Sequence, residues 1–424
     1  MIGDILFGMF GLAVLLSIAW AFSMHRDRVN WRLVAGGIGL QLVFAIVVII
    51  VPGGRAFFEF LSSAFVKVVS FAMVGAEFIF NDLARAEAFG FVFAFQVLPT
   101  IIFFASLMGV LYHLGLMQKV VQGMAWVMQK VLNVSGSESL AVAANVFVGQ
   151  TEAPLVVRPY IARMTESELF TMMVGGMATI AGAVLAAYIA LLGGPDPEAQ
   201  LFYARHLLAA SVMAAPATIV LAKILRPETG ESLTMGTVKL HVEKSAGNAI
   251  EAAANGAADG LKLALNVGAM LLAFIALIAM LDWPLGWLGA VTGLEAAIGQ
   301  PLSLKLILGY LLAPLAWVIG VPTRDIVVVG GLIGEKIIAN EFLAYSSLNA
   351  IKDTLDEQSV LISTYALCGF ANFSSIAIQI GGIGGIAPER RGDIARLGLR
   401  AVLGGTLATM MTATIAGVLT NLAA

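Results

Sequence analysis

Long apolar stretches separated by short polar segments run along the whole chain. A helix needs about 20 apolar residues to cross the hydrocarbon core of a bilayer. Eight charge-poor stretches meet this requirement and are predicted to be transmembrane helices: 5–23, 33–52, 92–112, 170–194, 205–222, 263–281, 358–388 and 401–424. A further apolar stretch, 56–81, contains Glu59, Lys67 and Glu77, and is predicted to be an interfacial helix. The pattern indicates an all-α membrane protein.

Two other apolar regions, 118–165 and 302–355, contain charges and do not fit a single span. Lysine and arginine in short loops mark the cytoplasmic side of a membrane protein. They cluster in three loops, at Arg26, Arg28 and Arg32, at Lys223, Arg226, Lys239 and Lys244, and at Arg390, Arg391 and Arg396. With eight spans, this places both termini outside, so that 118–165 begins and ends inside and 321–355 begins and ends outside. Each region is therefore predicted to form a re-entrant helical hairpin.

These two regions also resemble each other in sequence. The tripeptide Ala-Trp-Val occurs in both, and Trp126 and Trp317 stand 24 residues before Gln150 and Glu341, respectively. A long charge-free segment and one last span follow each region in the same order. Because the two regions are predicted to enter from opposite faces, they form an inverted repeat, which is the pattern of many secondary transporters.

Composition supports a protein that lies in the lipid bilayer. The chain is 59% hydrophobic and 12% charged, whereas soluble domains carry about 25% charged residues. The sequence has no basic patch that could neutralise phosphates, so nucleic acid is excluded as a partner. Cys368 is the single cysteine, which excludes a disulfide within the chain.

The first hairpin contains a carboxylate and an amide in an apolar setting. A carboxylate at mid-depth costs about 2.5–3.5 kcal/mol on insertion scales, so polar partners are needed around Glu152. Gly149 permits a non-helical turn, and Pro154 suits the first turn of a returning helix. Gln150 offers a donor and an acceptor to a planar heterocycle. The alternative is a structural ion pair between Glu152 and Arg158.

In the second hairpin, Glu341 stands at the predicted tip. A carboxylate accepts two hydrogen bonds from a vicinal diol with ease. The alternative is an ion pair of Lys336 with Glu341 or with Glu335 at a shallow depth, because neighbouring charges favour a position near the surface.

The segment 358–388 carries polar residues at its centre. Asn372 and Ser375 are three residues apart and share a helix face. Gly369 allows a break in the helix, and Phe370 is suited to stack on a flat ring. The alternative is ordinary hydrogen bonding between helices.

At the equivalent place in the first repeat, the sequence runs from Thr179 to Gly182. A hydroxyl, freed backbone carbonyls and the amide of Asn145 could together make an oxygen cage for a small hard cation. The alternative is that Thr179 bonds to its own helix backbone.

Three of these motifs resemble the signatures of the concentrative nucleoside transporter family. They are the run 149–155, the run from Lys336 to Tyr345, and the run 369–375. Leu343 stands where valine is more usual in that family. The motifs occur in the family's order, and the resemblance covers nearly the whole chain.

The resemblance implies particular roles for the site residues. The nucleobase is expected to face Gln150, Thr151 and Glu152, with Phe370 beside it. The ribose is expected to contact Glu341, Asn372 and Ser375. Sodium is expected near Asn145, Val148, Thr179 and Ile180, through side-chain oxygens and backbone carbonyls.

The resemblance also implies a mechanism and an assembly. It predicts a homotrimeric symporter that imports nucleosides across the bacterial inner membrane by an elevator movement, driven by a sodium gradient, or by protons as in some bacterial relatives. Segments 1–134 and 226–320 are expected to form the scaffold, and 135–225 and 321–424 the two halves of the transport domain. A membrane enzyme that uses Glu152 and Glu341 as an acid–base pair is the alternative from another class, although no nucleophile or metal-ligand spacing accompanies them.

Overall fold

A computed structural model describes residues 2–236 and 246–423, and within them all regular secondary structure is helical. Lys239 and Lys244 lie outside the described residues. The N-terminal helices are α1 (Ile2–Ala21), α2 (Trp31–Ile49), α3 (Pro52–Phe80), α4 (Ala86–Phe89), α5 (Phe93–Gln96) and α6 (Leu98–His113). The predicted spans 5–23, 33–52 and 92–112 correspond to α1, α2 and the pair α5 and α6.

The first repeat follows in the order helix, hairpin, broken helix, long helix. Its elements are α7 (Leu116–Leu132), α8 (Gly136–Asn145), α9 (Ala153–Val156), α10 (Arg158–Ile161), α11 (Glu166–Ala178), α12 (Gly182–Gly193) and α13 (Pro197–Leu225). Hairpin 1 comprises α8, its tip 146–152, α9 and α10. The predicted span 170–194 is interrupted at 179–181, which we call break 1.

The second repeat has the same order of elements. Its helices are α14 (Ala249–Thr292), α15 (Leu294–Ile298), α16 (Leu304–Val318), α17 (Ile326–Ile338), α18 (Glu341–Ile351), α19 (Glu357–Ala366), α20 (Phe373–Ile386) and α21 (Arg391–Ala423). Hairpin 2 comprises α17, the tip 339–340 and α18. The segment 367–372, which we call break 2, divides α19 from α20. Trp126 on α7 and Trp317 on α16 occupy equivalent positions in the two repeats, on the helix before a hairpin. The predicted hairpin 118–165 was too long, because it included most of α7.

Among the described residues, eight helical segments are long and apolar enough to cross a membrane. Seven of them overlap stretches predicted from sequence, and one predicted stretch is exchanged for another. The segment Pro52–Ala84 qualifies by length and composition, although 56–81 was expected to lie along the interface. The stretch 358–388 does not qualify, because break 2 divides it into two shorter helices. The interfacial position of α3 stays a prediction.

The broken helix of the first repeat and the long last helix of each repeat supply much of the interior of the molecule. In their most apolar windows, Glu166–Gly193 is 83% buried, and Pro197–Leu225 and Pro388–Ala423 are each 89% buried. By contrast, Ile2–Ala21 is 22% buried and Ala249–Thr292 is 6% buried. Helices that expose apolar side chains so extensively are suited to contact with lipid. The two breaks, 179–181 and 367–372, are mostly buried in protein, where interrupted backbone is tolerated.

Candidate functional site

Local sequence shapes the tip of hairpin 1. The helix α8 begins with a capping box, in which Ser135 Oγ accepts from the backbone of Glu138 and the Glu138 carboxylate accepts from the backbone of Ser135. At Gly149, a Cβ atom would lie 2.4 Å from Oε2 of Glu152, so an alanine there would displace the end of the Glu152 side chain. Pro154 lies in the first turn of α9, as predicted. The tip leaves Gln150 buried and Glu152 exposed.

At the tip of hairpin 2, an asparagine cap places the carboxylate. Asn340 Oδ1 accepts from the backbone N–H of Leu343 at 2.9 Å, and Glu341 is the first residue of α18. The positive end of a helix stabilises a carboxylate at this position. Glu341 is 4% exposed, so this carboxylate is inside the protein and needs hydrogen-bond partners.

The two partners of Glu341 come from both repeats. Tyr188 on α12 donates to Oε1 at 2.9 Å, and Asn372 donates through Nδ2 to Oε2 at 2.9 Å. Each carboxylate oxygen can accept a further hydrogen bond. The site thus keeps acceptor capacity for a ligand hydroxyl while its charge is already partly compensated.

Hairpin 1 reaches the same helix turn as hairpin 2. Gln150 donates through Nε2 to Oγ of Ser375 at 3.0 Å. Ser375 lies in the first turn of α20, which Asn372 caps by accepting from the Ser375 backbone N–H at 2.9 Å. The two residues were expected to share a helix face, but Asn372 has extended backbone and precedes the helix as its cap. Both tips are therefore joined to the first turn of α20, where four of the predicted residues meet.

The other predicted substrate residues lie around this cluster. Phe370 is half-buried in break 2, and its backbone N–H donates to the carbonyl of Thr179 in break 1 at 3.3 Å. Thr151 donates to Glu152 at 2.9 Å within the tip of hairpin 1. Neither Thr151 nor Glu152 has a hydrogen bond recorded to Glu341 or Asn372 in the described structure.

Tyr188 and Gln379 are buried polar residues that support the site and were not predicted from sequence, and Lys336 was expected only as an ion-pair partner. Tyr188 holds Glu341, and Gln379 donates through Nε2 to Oε1 of Gln150 at 3.1 Å. Lys336 donates through Nζ to the carbonyl of Ala366 at 2.8 Å and to Oγ1 of Thr409 at 3.0 Å. Gln379 could have been found from its position one turn after Ser375 in an apolar helix.

The alternative of a shallow ion pair at Lys336 is wrong. Lys336 is fully buried, and Glu335 instead pairs with Lys305 across α16 and α17 at 3.2 Å. The reason is that the ammonium group stabilises the carbonyl end of α19 at break 2, where cations are favoured.

A second cluster offers oxygen atoms to a cation. Asn145 is 1% exposed, and its Oδ1 has no hydrogen-bond partner among the described residues, although its Nδ2 donates to the carbonyl of Ala141 at 3.0 Å. The Thr179 hydroxyl donates to the carbonyl of Gly175 at 2.8 Å, which leaves its oxygen free to accept. A buried acceptor without a donor is costly, and a small hard cation would satisfy it.

The two remaining predicted cation ligands, Val148 and Ile180, are close in sequence to Asn145 and Thr179. Val148 belongs to the tip of hairpin 1, and Ile180 belongs to break 1, so their carbonyls lie outside regular helix. The backbone N–H of Gly182 donates to the carbonyl of Phe147 at 3.0 Å, which joins break 1 to the tip. The donor set of oxygen atoms, with no cysteine, histidine or carboxylate, suits sodium better than a transition metal.

Comparison with known proteins gives matches over most of the chain. Family models described as Na+ dependent nucleoside transporter N-terminus, Nucleoside recognition, and Na+ dependent nucleoside transporter C-terminus match residues 10–83, 94–195 and 206–417. The nucleoside permease NupC of Helicobacter pylori is 44% identical over 100% of this chain and 99% of that protein. Sodium/nucleoside cotransporter 1 of mouse is 41% identical over 96% of this chain and 63% of that protein.

Solved structures agree with these matches. CNTnw in an inward-facing substrate-bound state is 44% identical with a TM-score of 0.89, over 98% of this chain and 99% of that one. A double variant of CNTnw in an outward-facing state is 43% identical with a TM-score of 0.90, over 99% and 98% of the two chains. The relatives are named as transporters and permeases, not as enzymes. The all-helical fold, the two hairpin tips and these matches together show that the chain belongs to the concentrative nucleoside transporter family.

Proposed function

We propose that this protein is a symporter that imports nucleosides across the bacterial inner membrane and is driven by a sodium gradient. The observation that supports it best is the junction at α20, where Gln150 from hairpin 1 and Glu341 from hairpin 2 contact the same helix turn. A ligand bound there touches both repeats. Its binding is therefore able to favour one arrangement of the hairpins over another.

The ribose is assigned to Glu341, Asn372 and Ser375. The Glu341 carboxylate is held by Tyr188 and Asn372, and its remaining acceptor sites suit a vicinal diol. A substrate without both ribose hydroxyls leaves these buried groups under-satisfied, which lowers affinity strongly. We therefore expect the site to select nucleosides over free bases.

The nucleobase is assigned to Gln150, Thr151 and Glu152, with Phe370 beside it. Gln150 is buried and already hydrogen-bonded, whereas Glu152 is exposed at the tip. The half-buried ring of Phe370 is available for stacking on a flat base. The tip thus supplies polar contacts, and break 2 supplies the apolar face.

Sodium is assigned to Asn145, Val148, Thr179 and Ile180, and coupling follows from the position of break 1. The Thr179 carbonyl accepts from the Phe370 backbone N–H. Sodium that fixes the conformation of break 1 therefore also restrains break 2 through this hydrogen bond. One charge moving through ~100 mV supplies ~2.3 kcal/mol, and a tenfold sodium gradient adds about 1.4 kcal/mol. One sodium ion per nucleoside then sustains roughly 500-fold accumulation.

The moving part is assigned to 135–225 and 321–424, with 1–134 and 226–320 as the scaffold of a homotrimer and both termini outside. The deep burial of α11, α13 and α21 supports a compact unit that moves as one body against lipid-facing helices. Elevator movement of such a unit would carry the site across the membrane without dismantling its hydrogen bonds.

The test is uptake of radiolabelled uridine into proteoliposomes with sodium and proton gradients imposed separately. We expect accumulation with an inward sodium gradient and none with an inward proton gradient at equal sodium. Accumulation driven by protons alone would assign the coupling to protons, and recovery of chemically altered uridine would contradict transport as the activity.

A further inference from the structure

The buried amide of Gln379 contacts two acceptors. Gln379 lies on α20, is fully buried, and donates through Nε2 to the carbonyl of Met173 at 2.9 Å and to Oε1 of Gln150 at 3.1 Å. Gln150 in turn donates through Nε2 to Oγ of Ser375 at 3.0 Å. A series of hydrogen bonds thus connects the backbone of α11 to the tip of hairpin 1.

The Met173 carbonyl determines the donor–acceptor direction of this series of hydrogen bonds. A backbone carbonyl can only accept, and α11 fixes its position, so the nearby atom of Gln379 must be the amino nitrogen. Reversing the Gln379 amide would place its oxygen against two acceptors. It would also turn the amino group toward the present position of Oε1, which has no hydrogen-bond partner in the described structure.

The next amide is fixed by the same logic. Because Gln379 donates to it, Gln150 must turn its oxygen toward Gln379 and its amino group toward Ser375, which lies one turn earlier on α20. One N–H of that amino group bonds to Ser375, and the second is left for a ligand. Gly176 allows this approach, since a Cβ there would lie 2.7 Å from Cβ of Gln150 and 2.9 Å from Nε2 of Gln379.

We propose that Gln379 is a positioning residue that sets the direction of the Gln150 amide, so that hairpin 1 presents an N–H donor to the nucleobase. This inference rests on the proposed function, in which Gln150 faces the base. A donor matches the O4 carbonyl of uracil and opposes the amino group at the same position in cytosine. Gln379 therefore favours uridine over cytidine without touching either.

The direct test is Gln379→Glu. A carboxyl group carries at most one hydrogen for the two acceptors. The Met173 carbonyl cannot turn, so the Gln150 amide turns and presents its oxygen to the base. We expect the ratio of the cytidine Kd to the uridine Kd, measured by calorimetry on the purified protein, to fall by about tenfold, which corresponds to one exchanged hydrogen bond.

Two further variants separate an effect on the direction of the Gln150 amide from a general effect on core packing. Gln41→Glu places the same carboxyl group at another fully buried glutamine, which donates to Thr412 at 3.0 Å far from Gln150 in the chain, and should leave the ratio within about twofold of the parent. Gln379→Met imposes no direction on Gln150, and should lower the ratio by about threefold or more.

An unchanged ratio in both Gln379 variants would overturn the inference. Equal loss of both nucleosides in both variants would also overturn it, because a merely structural role predicts that result. Failure of the unaltered protein to bind either nucleoside would instead contradict the proposed function on which the inference rests.

Discussion

Asn372 and Glu341 are joined by a hydrogen bond of 2.9 Å, although they belong to different elements, break 2 and hairpin 2. The Asn372 oxygen accepts from the Ser375 backbone, so its amino group has to point at Glu341. A helix cap therefore orients the donor that holds the carboxylate. The same residue ends a backbone break and fixes the predicted ribose contact.

Removing either member of this pair should weaken nucleoside binding. We expect Glu341→Gln and Asn372→Ala to raise the Kd of uridine by about 10–100-fold, because a buried hydrogen bond to a charged group contributes about 1.5–3 kcal/mol. Calorimetry on the purified protein measures this. The Kd of 2′,3′-dideoxyuridine should change far less. Asp259→Asn, at a side chain 75% exposed, is the matched control. An equal loss for both ligands would argue against the ribose assignment.

Substitutions at two threonines distinguish loss of a sodium ligand from loss of a local hydrogen bond within a helix. Thr179 and Thr171 are both fully or nearly fully buried, and each donates to the carbonyl four residues earlier at 2.8 Å. Valine at either position loses that local bond, but only Thr179 lies in break 1. We expect Thr179→Val to raise the sodium concentration for half-maximal uridine uptake by about tenfold. Thr171→Val should not do so, and similar shifts in both would contradict the assignment.

Gly176 tests the close approach of hairpin 1 to α11. A methyl group at Gly176 would collide with Gln150 and Gln379, whereas Gly381 on α20 has nothing within 4 Å of an added Cβ. We expect Gly176→Ala to weaken uridine binding by about tenfold or more, because overpacking costs about 1–3 kcal/mol. Gly381→Ala should bind as the parent does. Normal binding by Gly176→Ala would show that the tip does not need this position.

Lys336 should contribute to stability at break 2. In Lys336→Met, the carbonyl of Ala366 and the hydroxyl of Thr409 both lose a charged donor. We expect the melting temperature in detergent to fall by about 5 °C or more, since several kcal/mol are lost. Lys262→Met, at a side chain 75% exposed, is the control and should melt with the parent. A parent-like melting temperature for Lys336→Met would contradict this role.

Local chemistry made the tips and breaks predictable. Gly149 and Pro154 favour a turn and a returning helix wherever they stand. The caps at Asn340 and Asn372 were not predicted, although asparagine is a preferred N-cap residue. Pairing between distant segments was not predictable. Tyr188 and Glu341 are 153 residues apart, and Gln150 and Gln379 are 229 apart. No periodicity reports such a contact.

Charges in the sequence suggested a wrong alternative in one region and left the position of another helix open. Lys336 lies near two glutamates in sequence, which suggested a shallow ion pair as the alternative, yet the fold turns its ammonium group inward to helix-end acceptors. For α3, hydropathy permits a span and its four charged residues favour the interface, because length and composition describe a helix without its surroundings.

The central claim is that one site binds the nucleoside and depends on sodium at break 1. The most direct measurement is the Kd of uridine on the purified protein across a series of sodium concentrations, with choline as the replacement. Linkage requires that each ligand strengthens the other equally. We predict that the Kd falls by about tenfold or more as sodium rises, and that Thr179→Val shifts this fall to higher sodium. A uridine Kd that does not depend on sodium would contradict the account.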